Sequence, residues 1–445
     1  MSFDHTKSNQ AADEIGKYVP GAIQSGWRKS AGFVPTVMSH AQGARMWDVD
    51  GNEYIDYNLG YGPNILGHNN EHWKKAIIEQ MDKLSNSEVC EIQGRAAEKI
   101  CQHLPGAELV RFAVSGSETN QNIFRLARAY TGKNKIVRFH GQYHGSNDDV
   151  LCGIVKDPEN PVPVAEVIAG DVLSEMGNTG GRRAHAFDDM FMIEWNDLEA
   201  VENLFKQFGH EIAGIIMEPV MTNFHGCLPE PGYLEGVRKL CDEHGVLLIF
   251  DEVLTGFRIG LSGAQGHFGV TPDITTLAKA LGGGFPVAAL AGKREVMDTL
   301  TNADVMMGGT YNGNALAMAA VIATIEELEK DDGEAFKRIE RLGNKLKDGL
   351  VEINTQVGSN LLLQGYPGAW SITFANKDKI INYADSLDYK EGMFKGGAFG
   401  GLLKERGILT LSRYCTSAAH TEEDVDDALN RSEDALRELE KTFGK

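Results

Sequence analysis

Between roughly residues 70 and 300 the chain repeats one pattern, a short, mostly apolar run followed by a longer amphipathic stretch. Strand-like runs fall at 109–114, 135–139, 212–217 and 245–250, and helix-like stretches at 118–131, 197–208 and 231–244. A strand with one wet face alternates apolar and polar residues. These runs largely do not, so both of their faces need cover. The pattern predicts an α/β fold whose central sheet is mostly parallel and lies between layers of helix. In open sheets of that kind, ligands bind outside the carboxyl ends of the strands. Chemistry is therefore expected in the residues that follow each run.

Around this unit the organisation changes. Residues 1–40 read as an arm with some helix, and Met46–Tyr57 as a hairpin turning at Asp50-Gly-Asn52. Residues 314–356 read as one long helix, followed by strands near 369–375 and 407–412 and a terminal helix at 421–442. The expected division is 1–69, arm and hairpin belonging to a small domain; 70–313, a large ligand-binding domain; and 314–445, a linking helix and the rest of a smaller α+β domain. The stretch 155–188, rich in Pro, Gly, Asn and charge, reads as a long loop over the site. No internal repeat or low-complexity segment is present.

The bulk numbers exclude some partners. Asp and Glu total 63 against 43 Lys and Arg, a net charge of −20. That disfavours a nucleic-acid backbone or an anionic membrane surface. Cys90, Cys101, Cys152, Cys227, Cys241 and Cys415 never fall at C-x-x-C spacing, so no metal or redox pair is expected. Scattered cysteines suit reduced thiols in the cytoplasm. The first residues lack an apolar signal core, and no apolar run approaches the roughly 20 residues of a membrane span.

Two residues carry the sharpest chemistry. Asp251 ends the run at 245–250, and Lys279 lies twenty-eight positions later, just before Gly282-Gly-Gly284. A lysine forms a Schiff base with pyridoxal phosphate, and a carboxylate keeps that cofactor's ring nitrogen protonated. Upstream, Ser115-Gly-Ser-Glu-Thr-Asn120 joins a strand to a helix. Free N–H groups at a helix start attract phosphate, and the Ser115 and Ser117 hydroxyls would add donors; the same residues also suit a plain N-cap. Tyr143, after the strand at 135–139, would stack on a ring or cap the sheet. Glu218 and Asn223 follow the strand at 212–217, placed for a cofactor oxygen or for solvent, and Val253 for one ring face. Thr310, in a second glycine-rich turn, is a further phosphate candidate.

Together these elements resemble the class III (ω-) aminotransferase family of fold-type I pyridoxal phosphate enzymes, over roughly residues 20–435. The likeness is greatest to its glutamate-1-semialdehyde 2,1-aminomutase and β-amino-acid aminotransferase branches. Its most specific stretches are Asp251-Glu-Val-Leu-Thr-Gly-Phe-Arg258 and Thr271–Gly284. The resemblance implies Lys279 as the cofactor lysine, Asp251 as the ring-nitrogen partner, Gly116 and Ser117 on the phosphate and Tyr143 on the ring. It implies that Thr310 reaches the neighbouring subunit's phosphate, hence a homodimer with shared sites. It also implies that Arg28 and Arg413 bind substrate carboxylates, a task suited to the guanidinium fork. Arg413 lies in a stretch, 408–418, that departs from the aminomutase pattern. So does the region 150–190, longer and different in composition from the aminomutase's gating loop.

The expected activity is transfer of an amino group from a carboxylate-bearing amine, a β-amino acid by preference, to an α-oxo acid such as 2-oxoglutarate or pyruvate. The rival is an isomerase on the same fold, aminomutase or amino-acid epimerase, which needs no acceptor. A silent scaffold of this fold is the remaining alternative, and the intact lysine, aspartate and phosphate turn argue against it.

Overall fold

The computed structural model describes residues 3–25, 36–151, 181, 183, 185–303, 305–386, 390–410 and 413–443. Its largest sheet has seven strands. Their spatial order is Leu109–Ala113, Ala288–Gly292, Ile274–Leu277, Leu247–Glu252, Ile212–Met217, Lys135–Phe139 and Met190–Ile193. Every pairing from Ile274–Leu277 to Met190–Ile193 is parallel. Ala288–Gly292 alone runs antiparallel to its neighbours. Three of these strands are absent from the sequence reading. Met190–Ile193 is only four residues long, Ile274–Leu277 carries two threonines, and Ala288–Gly292 is alanine-rich with little intrinsic preference for strand.

Both faces of the sheet are covered, as the apolar runs require. Leu248 and Phe250 pack with Val137, Ile215 and Trp195 on one face. Leu247 and Ile249 pack with Ile123, Phe124 and Ala127 of helix Gly116–Thr131 on the other. This period-two split decides where the polar residues at the strand ends go.

The chain's two ends meet in a second sheet. Ile408–Leu409 pairs parallel with Glu53–Asp56 of the N-terminal hairpin, with Ile408 opposite Ile55. The strand expected at 407–412 is thus a two-residue pairing among the described residues. A third sheet joins Leu361–Tyr366, Ala369–Phe374 and Arg413–Cys415, and sets Arg413 opposite Ser371.

The long helix Ala315–Val357 is not continuous. It breaks at Lys330–Gly333, where Asp331 and Asp332 take left-handed φ of 51° and 57°. The two halves serve different cores. Met318, Val321 and Ile325 pack with Phe112 and Leu281, whereas Leu346 and Leu350 pack with Trp370 and Leu436. Arg258, 1% exposed, ties these regions together by donating to the carbonyls of Gly62, Gly368 (3.1 Å) and Thr416 (3.4 Å). No described helix is long and apolar enough to cross a membrane. Arg28 and most of the loop expected at 155–188 lie outside the described residues.

Candidate active site

Strand alternation puts Asp251 on the face of Leu247 and Ile249, beneath helix Gly116–Thr131. Its neighbour Glu252 turns to the other face. There Thr255, Gln265 and the N–H of Ala264 donate to it, and burial pushes its carboxyl up. Asp251 is 4% exposed and its carboxylate is held by three donors. Oδ2 accepts from Nδ1 of His144 at 2.8 Å and from Nδ2 of Asn120 at 2.9 Å; Oδ1 accepts from the N–H of Val253 at 3.1 Å. The acceptor opposite it assigns the His144 proton to Nδ1.

Asp251 lines a cavity of about 200 Å³, along with Gly116, Ser117, Tyr143, Val253 and Lys279. At one end the helix begins at Gly116, so the first N–H groups have no carbonyl of their own helix to meet. A Cβ on Gly116 would sit 2.9 Å from Cγ2 of Val253. One on Gly145, whose φ is 123°, would sit 2.7 Å from Oγ of Ser117. Both glycines keep this end open. The Ser117 hydroxyl accepts from the N–H of Ser146 at 3.1 Å, and its own proton is left to donate. Ser115 behaves differently: it is exposed and accepts from the N–H of Glu118 at 3.3 Å. It is the plain N-cap and does not line the cavity. Thr310 is also exposed and does not line the cavity of its own chain.

Glu218 is 3% exposed, and both of its oxygens are engaged. Oε1 accepts from the N–H of Tyr143 at 2.8 Å and Nδ2 of Asn223 at 2.9 Å. Oε2 accepts from the hydroxyl of Thr222 at 2.7 Å and from the N–H groups of Thr222 and Asn223 at 3.0 and 3.3 Å. Glu218 therefore organises the turn beneath Tyr143, and its lone pairs are already in use. Asn223 passes the connection on, since its Oδ1 lies 3.4 Å from NH2 of Arg413. NH1 of Arg413 is buried and has no hydrogen-bond partner among the described residues.

Lys279 opens a short turn, Lys279–Gly282, after strand Ile274–Leu277. Its φ is 49°, in a region that residues other than glycine seldom visit. The turn is pressed close to its surroundings. A Cβ on Gly283, itself at φ 59°, would sit 2.6 Å from Oγ1 of Thr324 and 2.9 Å from Nε1 of Trp73. Burial lowers the Lys279 ammonium to about 8; the Arg413 guanidinium lowers it too, against Glu218 and Asp251, which raise it. An amine that sheds its proton near neutral pH can act as nucleophile or general base.

The cavity is thus lined by the start of a helix able to hold an anion, a buried carboxylate and a deprotonatable lysine. That donor set fits a phosphorylated pyridine aldehyde. Among the expected residues, the fold gathers Gly116, Ser117, Tyr143, Glu218, Asn223, Asp251, Val253 and Lys279 around the cavity. His144, Asn120, Thr222 and Thr276 escaped the sequence reading. His144 adjoins Tyr143, and that adjacency was the one signal available for it.

Comparison with known proteins gives the family and the fold. The family model described as aminotransferase class-III matches residues 28–370. Glutamate-1-semialdehyde 2,1-aminomutase 2 of Exiguobacterium sp. is 36% identical over 456 residues, spanning 100% of both chains. A β-phenylalanine aminotransferase from Variovorax paradoxus has a TM-score of 0.82 at 26% identity, covering 99% of this chain and 94% of that one. The FumI protein of Sphingopyxis sp. MTA144, solved in its PLP internal aldimine form, has a TM-score of 0.84 at 25% identity, covering 99% and 98%.

Proposed function

The chain belongs to the class III aminotransferases, fold-type I enzymes that use pyridoxal phosphate, and from that premise we propose that it transfers an amino group from a carboxylate-bearing amine, preferably a β-amino acid, to an α-oxo acid such as 2-oxoglutarate or pyruvate. The observation that carries this reading is Arg413. Its guanidinium stands close enough to Lys279 to lower that ammonium, and it keeps a buried N–H group unpaired among the described residues. A half-buried cation with a buried spare donor near a reactive amine suits a substrate carboxylate.

When bound, the cofactor supplies an electron sink for negative charge at the amine-bearing carbon. The chain's own residues do the rest. The N–H groups at Gly116 and the Ser117 hydroxyl hold the phosphate. Asp251, held by His144 and Asn120, holds the ring nitrogen. Tyr143 and Val253 confine the ring faces. The ε-amine of Lys279 would move a proton between the donor carbon and the cofactor's aldehyde-derived carbon, two bonds apart. Arg413 orients the carboxylate, and Asn223 and Glu218 orient Arg413. Arg28 serves a second carboxylate in this reading. Thr310, exposed and off its own cavity, serves the neighbouring subunit of a homodimer.

The second reading, an aminomutase, is favoured by the 36% identity to a chain of that name. An acceptor-free half-reaction separates the two. Cofactor-loaded enzyme is mixed with a panel of β-, γ- and α-amino acids and glutamate 1-semialdehyde, and the cofactor absorbance is followed. Stoichiometric bleaching with release of one oxo acid per site supports the transaminase. Catalytic conversion of one compound to its isomer, with no oxo acid released, overturns it.

A further inference from the structure

Asn120 lies one turn into the helix that begins at Gly116, with 1% of its surface exposed. Both hydrogens of its Nδ2 are used: one goes to Oδ2 of Asp251 at 2.9 Å, the other to the carbonyl of His144 at 2.8 Å. Its Oδ1 accepts from the hydroxyl of Thr276, which is fully buried. These partners fix the amide's orientation. Turned over, Asn120 would set its oxygen against a carboxylate and a carbonyl, two acceptors that cannot donate to it.

Sheet register explains why the three side chains meet. Asp251 and Thr276 are directly paired on adjacent parallel strands, so both rise on the same face, beneath the helix that carries Asn120. On the opposite face Glu252 and Thr275 are not opposite one another, and Gln265 bridges them by donating to both. Asn120 also links two parts of the cavity lining. Its helix supplies the anion cradle four residues earlier, and its amide grips the Asp251 carboxylate.

We infer that Asn120, with its amide locked by Thr276, is a positioning residue that sets the Asp251 carboxylate toward the cofactor's ring nitrogen while holding it at a fixed distance from the phosphate cradle. The inference rests on the reading of Asp251 as the ring-nitrogen partner. A misplaced carboxylate selectively weakens recognition of the nitrogen, whereas general damage to the cradle weakens every phosphorylated ligand alike.

The test is therefore a ratio of affinities. Cofactor-free protein is titrated with pyridoxal phosphate and with its analogue bearing carbon in place of the ring nitrogen. The wild type should prefer the nitrogen compound by about tenfold or more, the worth of one charge-assisted hydrogen bond. Asn120→Ala should abolish most of that preference. Thr276→Val, nearly isosteric and so the safer variant for folding, should reduce it in the same direction, and Thr276→Ser, which keeps the donor, should retain it. A wild-type preference that survives in both Asn120→Ala and Thr276→Val overturns the inference and leaves the role of Asp251 standing. A wild type with no preference overturns both.

Discussion

The Arg413 guanidinium, half-buried like Lys279 itself, is after burial the strongest influence lowering the Lys279 ammonium, to about 8. Removing that positive charge should raise the lysine. In cofactor-free protein, the pH midpoint for acetylation of Lys279 in competitive labelling should lie near 8. Arg413→Met should move it up by roughly half a unit or more, while Arg413→Lys, which keeps the charge, should leave it near the wild-type position. A downward move in Arg413→Met would contradict the assigned sign. The same variant should bind carboxylate-bearing donors less tightly, read as a higher KM.

Lys279→Ala should abolish turnover, and Asp251→Asn should lower kcat by about 10²–10³-fold, the scale of losing a preorganised charge in a closed site. Single-turnover kinetics with the cofactor added back check both. Normal rates in Lys279→Ala would remove the lysine from the mechanism.

Gly145→Ala places a methyl group 2.7 Å from Oγ and 2.9 Å from Cα of Ser117, at a φ of 123° that alanine rarely adopts. It should cost about 1–3 kcal/mol of stability and open the phosphate cradle. Thermal melting and a cofactor titration should both worsen. Wild-type affinity in a destabilised variant would place the phosphate elsewhere.

Glu194 makes a prediction away from the active site. Its Oε1 accepts from the N–H of Tyr383 at 3.0 Å, its Oε2 is buried without a described partner, and burial raises its carboxyl to about 7. The folded protein keeps a proton that the unfolded chain releases near ~4.3. Stability from this group is thus complete below about 4.3 and is lost as pH rises through about 7. Glu194→Gln keeps the acceptor and abolishes the titration. It should gain about 1–3 kcal/mol over the wild type at pH 8 and little at pH 4, read as a difference in Tm. An equal change at both pH values would show that the carboxyl does not titrate in this range.

What the sequence reveals follows from how local each signal is. The parallel core is legible because Ile212–Met217 and Leu247–Glu252 are apolar runs that only two-sided burial explains. Ala288–Gly292 is illegible because alanine becomes strand there through its neighbours, not through its own preference. The break at Lys330–Gly333 is marked in sequence only by Asp-Asp-Gly, and arises because two halves of one segment must face two cores. Asp251 and Lys279 stand out because such groups at strand ends suggest one chemistry. Asn120 does not, since an asparagine in an amphipathic helix looks like a solvated residue until the register of Asp251 with Thr276 brings it over the site. At Ser115 the two roles that a hydroxyl at a helix start suggests are not separable in sequence, and the structure shows it capping the helix.

In the proposed reaction nitrogen leaves one molecule and enters another. The direct measurement follows the amino nitrogen of isotope-labelled β-amino acids in the presence of 2-oxoglutarate, with glutamate analysed by mass spectrometry. Amino transfer should give labelled glutamate in equal amount to the oxo acid from the donor. Label retained in an isomer of the starting compound, with none in glutamate, would contradict it.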